Sequence, residues 1–265
     1  MPEGHTIHRL ARDHQRWFAG QSVTVASPQG RFEAGAQALS GRTLRGVDAY
    51  GKHLFYDFVR GPILHIHLGL FGRFRMRKRP APQRGAPRMV LGNDEREVRL
   101  SGPTACEVLT RADANAIMAR LGPDPLRPRA SGKRFVDTVC RRKRQAGALL
   151  LDQSVVAGIG NVYRSELLFR IGVHPATPGH AIPRASWEAL WRDTKALLAI
   201  GVTLNRIVTV APEERGHRGP RQLVRGERVY VYRRRTCLRC EGPVETLTIG
   251  QRKAYACPAC QPRVP

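Results

Sequence analysis

Apolar side chains recur at helical spacing near the start of the chain. They predict a helix over residues 3–19 that ends at Gly20. The apolar residues are Ile7, Leu10, Ala11, Trp17 and Phe18, and His14 falls on the same face. From about residue 21 to residue 110 the pattern becomes that of strands, with alternating apolar positions in residues 54–58 and 63–68. This half is therefore predicted to be a short helix followed by an antiparallel β-sandwich or a barrel.

The second half has helical patterns. A proline-rich segment at residues 122–128 is typical of a hinge. Helical spacing follows over residues 126–151, over residues 149–171 with a break at 157–161, and over residues 186–200, after which Gly201 stands. Residues 211–226 have the composition of a basic loop. The patterns together predict an α+β protein.

Charge narrows the class of partner. Forty-five Lys and Arg residues against 21 Asp and Glu residues give a formal net charge of +24. This imbalance favours a polyanion, nucleic acid before an anionic membrane surface. No apolar stretch is long enough to span a bilayer, and the first residues lack the apolar core of a signal peptide. We therefore expect a soluble intracellular protein.

Four of the six cysteines have the spacing of a metal site. Cys237, Cys240, Cys257 and Cys260 form a C-x2-C-x16-C-x2-C pattern. Two C-x-x-C turns can present four thiolates to one ion, so the spacing predicts one structural Zn²⁺. The alternative is two redox-active or disulfide-bonded pairs, which are rare in intracellular proteins.

A motif around two glycines suggests a phosphate site. In residues 149–163 (LLLDQSVVAGIGNVY), Gly158 and Gly160 allow a sharp turn between two helices. A helix that starts near Asn161 would direct backbone N–H groups outward, and the Asn161 amide could add a donor. An ordinary helix–turn–helix packing unit is the alternative.

The motif D-Q-x-x-V-A-G-I-G-N-x-Y resembles the helix–two-turns–helix of the formamidopyrimidine-DNA glycosylase / endonuclease VIII family. The opening Met-Pro-Glu-Gly and the closing four-cysteine hairpin resemble that family too, in the same order. The resemblance covers essentially the whole chain. It implies a bifunctional DNA glycosylase and AP lyase of base excision repair, which removes oxidised bases from damaged double-stranded DNA and then cuts the abasic site.

The resemblance also implies the domain order. It predicts an N-terminal catalytic β-sandwich domain at residues 1–122, a hinge at 123–131, a helix–two-turns–helix DNA-binding domain at 132–230 and a zinc-finger hairpin at 231–265. We expect a monomer in the cytoplasm, associated with the nucleoid through DNA and not with a membrane.

Catalysis is expected at the N-terminus. By the resemblance, Pro2 becomes the terminal secondary amine once Met1 is removed, and it attacks the sugar to form a Schiff base. Glu3 beside it would protonate the opening sugar ring. Without the resemblance, the Pro-Glu pair would indicate an ordinary helix start, and only the resemblance reverses this interpretation.

The other expected site residues contact DNA. The resemblance places Lys52 and Arg252 among the catalytic residues: both bind phosphates near the reacting nucleotide, and Lys52 also assists catalysis. A surface lysine at a turn is the alternative for Lys52. It assigns Leu70, with Phe71 beside it, to the wedge that fills the space left by the flipped base; core packing at a strand end is the alternative. Further expected DNA contacts are Asn161, Arg73 and Arg75.

One departure bears on specificity. In the oxidised-purine branch, a loop Asp-Pro-Arg-Arg-Phe-Gly carries an arginine that reads the opposite base, whereas residues 102–107 here are GPTACE. We therefore expect the endonuclease VIII branch and oxidised pyrimidines. The alternatives are an oxidised-purine glycosylase and, from a different class, a non-catalytic zinc-containing nucleic-acid-binding protein.

Overall fold

The computed structural model describes residues 2–82, 85–216 and 218–263. The chain divides into two compact units, Met1–Arg120 and Leu121–Pro265. The finer division into a hinge, a helical domain and a hairpin domain stays a prediction.

The first unit is a β-sandwich that begins with a helix. Its helices are α1 (Gly4–Phe18), α2 (Glu33–Leu39) and α3 (Arg111–Ala119). Its strands are β1 (Thr24–Ala26), β2 (Leu44–Tyr50), β3 (His53–Phe58), β4 (Ile63–His67), β5 (Arg73–Lys78), β6 (Met89–Gly92), β7 (Arg96–Ser101) and β8 (Ala105–Leu109). They form two antiparallel sheets, ordered β1-β6-β7-β5 and β2-β3-β4-β8. The predicted helix and sandwich are confirmed.

Both sheets and α1 share one apolar core. Ile7 and Phe18 of α1 are buried in it with Leu54 of one sheet and Leu100 of the other. Two hydrogen bonds fix α1 on the sheet: the Val47 N–H donates to Gln15 Oε1 at 2.6 Å, and His14 Nδ1 lies 2.6 Å from the Tyr56 hydroxyl. This packing holds α1 against the sandwich.

The second unit is helical and ends in a hairpin. Its helices are α4 (Gly132–Val139), α5 (Ala146–Leu149), α6 (Asn161–Arg170) and α7 (Arg184–Leu204), with single 3₁₀ turns at Gly179–Ala181, Pro212–Arg215 and Arg225–Glu227. Strands β9 (Glu245–Ile249) and β10 (Arg252–Ala256) pair antiparallel. Phe135, Leu150, Tyr163 and Trp187 lie in its main core.

Three of the predicted helical stretches differ from the structure. Residues 150–156, predicted as helical within 149–171, form turns between α5 and α6. The helical pattern over residues 126–151 becomes the two short helices α4 and α5, because the Ala146 N–H donates to the Thr177 carbonyl and not to the preceding turn. Helix α7 continues through Gly201 to Leu204 and is capped by Asn205, whose φ is 55°. Asparagine tolerates this left-handed conformation, which terminates helices. In the part of the chain that the structure describes, no helix has both the length and the apolarity to cross a membrane.

Candidate functional site

Pro2 and Glu3 lie at the start of α1. Glu3 is the N-cap residue and is completely buried. Its carboxylate forms no capping hydrogen bond to the helix, although its carbonyl accepts from the Thr6 N–H at 2.9 Å. A glutamate that served only the helix dipole would stay in solvent, because burying a carboxylate costs roughly several kcal/mol. The burial of Glu3 therefore needs another explanation.

Lys52 lies in the two-residue turn between β2 and β3. Tyr50 pairs with His53, and Gly51 adopts a φ of 57° that permits the turn. Lys52 is half-buried. The turn fixes the backbone of this lysine between two paired strands.

Three histidines lie on the sheet face next to this turn. His53 Nδ1 is 2.9 Å from His65 Nε2, and His65 Nδ1 is 2.8 Å from Glu107 Oε1. Burial, with the neighbouring His67 and His65 and the charge of Lys52, lowers the pKa of His53 to about 3. Burial also lowers the pKa values of His65 and His67. These imidazoles are therefore neutral at pH 7 and add no charge beside Lys52.

A tight loop follows β4 at residues 68–72. The Gly72 N–H donates to the Leu68 carbonyl at 2.9 Å, and Gly69 has a φ of 63°. Leu68 is buried, whereas Leu70 is 50% exposed and Phe71 is 82% exposed. Leu70 and Phe71 are thus apolar side chains presented to solvent and not core residues.

Basic residues occupy the edge strand β5. Arg73 and Arg75 are exposed on one face, and Arg77 shares that face. On the neighbouring strand Arg99 Nε donates to Glu97 Oε1 at 2.5 Å. Strand β5 is the end strand of its sheet, and Arg73, Arg75 and Arg77 form a row of cations on one of its faces.

The turn before α6 is held by the side chain of Gln153. Its Nε2 donates to the Leu151 and Ile159 carbonyls at 2.9 and 3.0 Å, and its Oε1 accepts from the Gly158 N–H at 3.0 Å. Gly158 has a φ of 93°. These bonds explain the Gln and Gly of the motif and place Asn161 as the first residue of α6.

Asn161 contacts the β9–β10 hairpin. Its Nδ2 donates to the Lys253 carbonyl at 3.0 Å, and its Oδ1 accepts from Arg164 at 2.5 Å. Arg252 begins β10 and is exposed. Asn161 therefore bonds the backbone of the residue that follows Arg252.

The four cysteines form a cluster that fits a metal ion. Their sulfur atoms all lie within 4.8 Å of one another, with Cys240–Cys257 at 3.4 Å and Cys237–Cys260 at 4.0 Å. Tetrahedral bonds of 2.3 Å to zinc separate sulfurs by about 3.8 Å. The geometry therefore accepts an ion of this size.

The first unit thus carries Pro2, Glu3, Lys52, Leu70, Phe71, Arg73 and Arg75, and the second carries Asn161, Arg252, Cys237, Cys240, Cys257 and Cys260. Sequence reasoning missed the His53–His65–Glu107 chain and Arg164. For the histidine chain a signal was available, because strand alternation places His65 and His67 on one face. Arg164 gives no sequence signal, since its partners lie 85 and 89 residues away.

Comparisons with known proteins agree with this arrangement. The formamidopyrimidine-DNA glycosylase N-terminal domain matches residues 1–106, and the formamidopyrimidine-DNA glycosylase H2TH domain matches residues 121–211. Endonuclease 8 1 of Mycobacterium tuberculosis is 46% identical over 268 residues, covering 98% of this chain and 100% of the relative. The chain belongs to the formamidopyrimidine-DNA glycosylase / endonuclease VIII family.

Members of this family are DNA glycosylases and AP lyases of base excision repair. A more distant member, the formamidopyrimidine-DNA glycosylase of Methylococcus capsulatus, is 31% identical, with 98% of each chain covered. Among solved structures, the complex of Lactococcus lactis Fpg with abasic-site DNA has a TM-score of 0.82 at 20% identity, covering 98% of this chain and 100% of that one. This likeness supports the fold.

Proposed function

We propose that this family member removes oxidised pyrimidines from double-stranded DNA and then cleaves the abasic site. The observation that carries the proposal is the buried Glu3 carboxylate beside Pro2. A helix start does not need that burial, but an acid that acts on a sugar shielded from water does.

Pro2 supplies the nucleophile. Removal of Met1 exposes a secondary amine, and an α-amine has a pKa of about 8, so more of it is unprotonated at pH 7 than of a lysine. Its nitrogen bonds to C1′ of the sugar and loses its N–H proton, while the bond from C1′ to the base breaks and the departing base takes up a proton. Glu3 then protonates O4′ as the C1′–O4′ bond opens, and the nitrogen lone pair completes an iminium.

The iminium makes strand cleavage possible. It withdraws electrons from C2′, so a C2′ proton is lost and the 3′ phosphate leaves by β-elimination. A second elimination then expels the 5′ phosphate. Water finally hydrolyses the iminium, which frees the sugar fragment and restores the Pro2 amine.

The remaining site residues bind and shape the DNA. Lys52, Asn161 and Arg252 would contact phosphates near the reacting nucleotide, and Arg73 and Arg75 would contact phosphates farther along the duplex. The exposure of Leu70 and Phe71 supports their role as the wedge that replaces the flipped base. One Zn²⁺ on the four cysteines would hold the hairpin that carries Arg252.

The short turn between β7 and β8 bears on which class of damaged base the protein removes. Between β7 and β8 only residues 102–104 intervene, and their sequence is Gly-Pro-Thr. This turn has no arginine to read the base opposite an oxidised purine. The higher identity to an endonuclease 8 than to a formamidopyrimidine-DNA glycosylase supports the same choice.

Borohydride trapping tests the proposal. The native enzyme should form a covalent adduct at Pro2 with duplexes that contain an oxidised pyrimidine or an abasic site, located by mass spectrometry. A variant that retains an N-terminal extension should form none, because an amide nitrogen cannot attack. An adduct on Lys52 would contradict the mechanism, and faster excision of oxidised guanine would favour the purine alternative.

A further inference from the structure

Arg164 lies completely buried in the first turns of α6. Its guanidinium donates to the Lys253 carbonyl at 2.7 Å, to the Ile249 carbonyl at 3.2 Å and to Asn161 Oδ1 at 2.5 Å. One planar side chain therefore connects the start of α6 to both strands of the hairpin.

The two carbonyls belong to the tip of that hairpin. Ile249 pairs with Arg252 across a two-residue turn, in which Gly250 and Gln251 have φ values of 57° and 61°. Both positive values are typical of a type I′ turn. The turn sets the shape of the tip, but a two-stranded hairpin alone does not fix its own orientation.

Apolar contacts at the tip are small. Ile249 and Ala254 pack with Ala148 of α5, and this cluster contains no large aromatic side chain. The Arg164 guanidinium, by contrast, donates to the carbonyls of Ile249 and Lys253, the residues on either side of the Gly250–Arg252 segment. Charge-assisted hydrogen bonds with a planar donor restrict both distance and angle.

We propose that Arg164 is a positioning residue that orients Arg252 toward a DNA phosphate, with Asn161 completing the same junction. The inference rests on the phosphate-binding role proposed for Arg252. Arg164 itself does not touch DNA in this role. A buried arginine that only filled space could be replaced by an apolar residue of similar volume at little cost.

The experiment is a double-mutant cycle on DNA binding. Dissociation constants for a duplex with a stable abasic-site analogue are measured by fluorescence anisotropy at several salt concentrations. The variants are Arg164→Met, Arg164→Lys, Arg252→Ala and the Arg164→Met/Arg252→Ala pair. Arg170→Met is the matched control, since Arg170 lies on the same helix but bonds Asp193 and the Thr209 carbonyl.

Arg164→Met and Arg252→Ala should each weaken DNA binding about 10-fold or more. The double variant should bind no worse than Arg252→Ala alone. Arg164→Met and Arg252→Ala should each reduce the slope of log affinity against log salt concentration by about one unit, which is the effect of losing one phosphate contact. Arg164→Lys should recover part of the affinity, and the control should keep the native slope. Zinc content should stay native throughout.

The outcomes separate the two proposals. If Arg252→Ala has no effect, the phosphate contact is wrong and the inference falls with it. If Arg252→Ala weakens binding while Arg164→Met does not, or if the two losses multiply, only the inference is overturned. Loss of zinc from both Arg164 variants would also overturn it, because Arg164 would then support hairpin folding in place of aiming its tip.

Discussion

Replacing Gly69 by alanine tests whether the loop at residues 68–72 must keep its shape. A Cβ at this position would lie 1.9 Å from Thr104 Oγ1 and 3.1 Å from Thr104 Cβ. The φ of 63° adds strain, because a side chain rarely adopts it. If the loop keeps its shape, the clash and the backbone strain lower the stability of the protein. If the loop moves to relieve them, Leu70 and Phe71 are displaced.

The magnitude follows from the two contributions. A non-glycine residue in the left-handed region costs about 1–2 kcal/mol. An overpacked contact costs about 1–3 kcal/mol. If the loop keeps its shape, Gly69→Ala should therefore lower the free energy of unfolding of the first unit by about 2–5 kcal/mol. Rotation of the Thr104 side chain about its Cα–Cβ bond would move Oγ1 away and leave about the backbone cost alone, 1–2 kcal/mol.

Urea denaturation measures the stability, and single-turnover excision from a lesion-containing duplex measures the function. We expect slower excision with nearly unchanged affinity for intact duplex. Gly30→Ala is the matched control: its φ is 76°, and no atom lies within 4 Å of the added Cβ. The Gly69→Ala/Thr104→Ala pair removes the hydroxyl and should recover the collision cost but not the backbone cost. Identical stability and excision rate in Gly69→Ala and Gly30→Ala would refute the reasoning.

Three further predictions concern catalysis, the wedge and the metal. Glu3→Gln should slow base excision about 10²- to 10⁴-fold. Cleavage of a preformed abasic site should partly survive, because that sugar already opens to an aldehyde. Glu33→Gln, at an exposed glutamate, is the control, and equal loss of both steps would contradict the assignment. Leu70→Ala should slow lesion processing in duplex more than in single strands, which gel-based cleavage assays compare; equal losses would indicate a packing role. Cys240→Ser should abolish stoichiometric zinc and weaken DNA binding while the first unit keeps its melting transition; native affinity without zinc would contradict a structural role for the metal.

Local patterns were enough for much of this protein. The apolar positions from Ile7 to Phe18 specify α1, and the alternation in residues 54–58 and 63–68 specifies β3 and β4, since neighbouring residues set both periods. The cysteine cluster was also predictable, because each C-x-x-C pair is a local turn. The Pro2, Lys52 and Arg252 assignments came only through the family resemblance, because residue type and spacing do not define their chemistry.

Tertiary structure decided the environment of the same residues. Glu3 is completely buried at the start of α1, and Leu70 is exposed because the loop folds back on the Leu68 carbonyl. Arg164 meets the hairpin 85 and 89 residues later in the chain, and His65 meets Glu107 across 42 residues. Such contacts depend on which strands and helices become neighbours. Sequence periodicity reports which face of an element is apolar, whereas topology determines what that face and its polar edge come to touch.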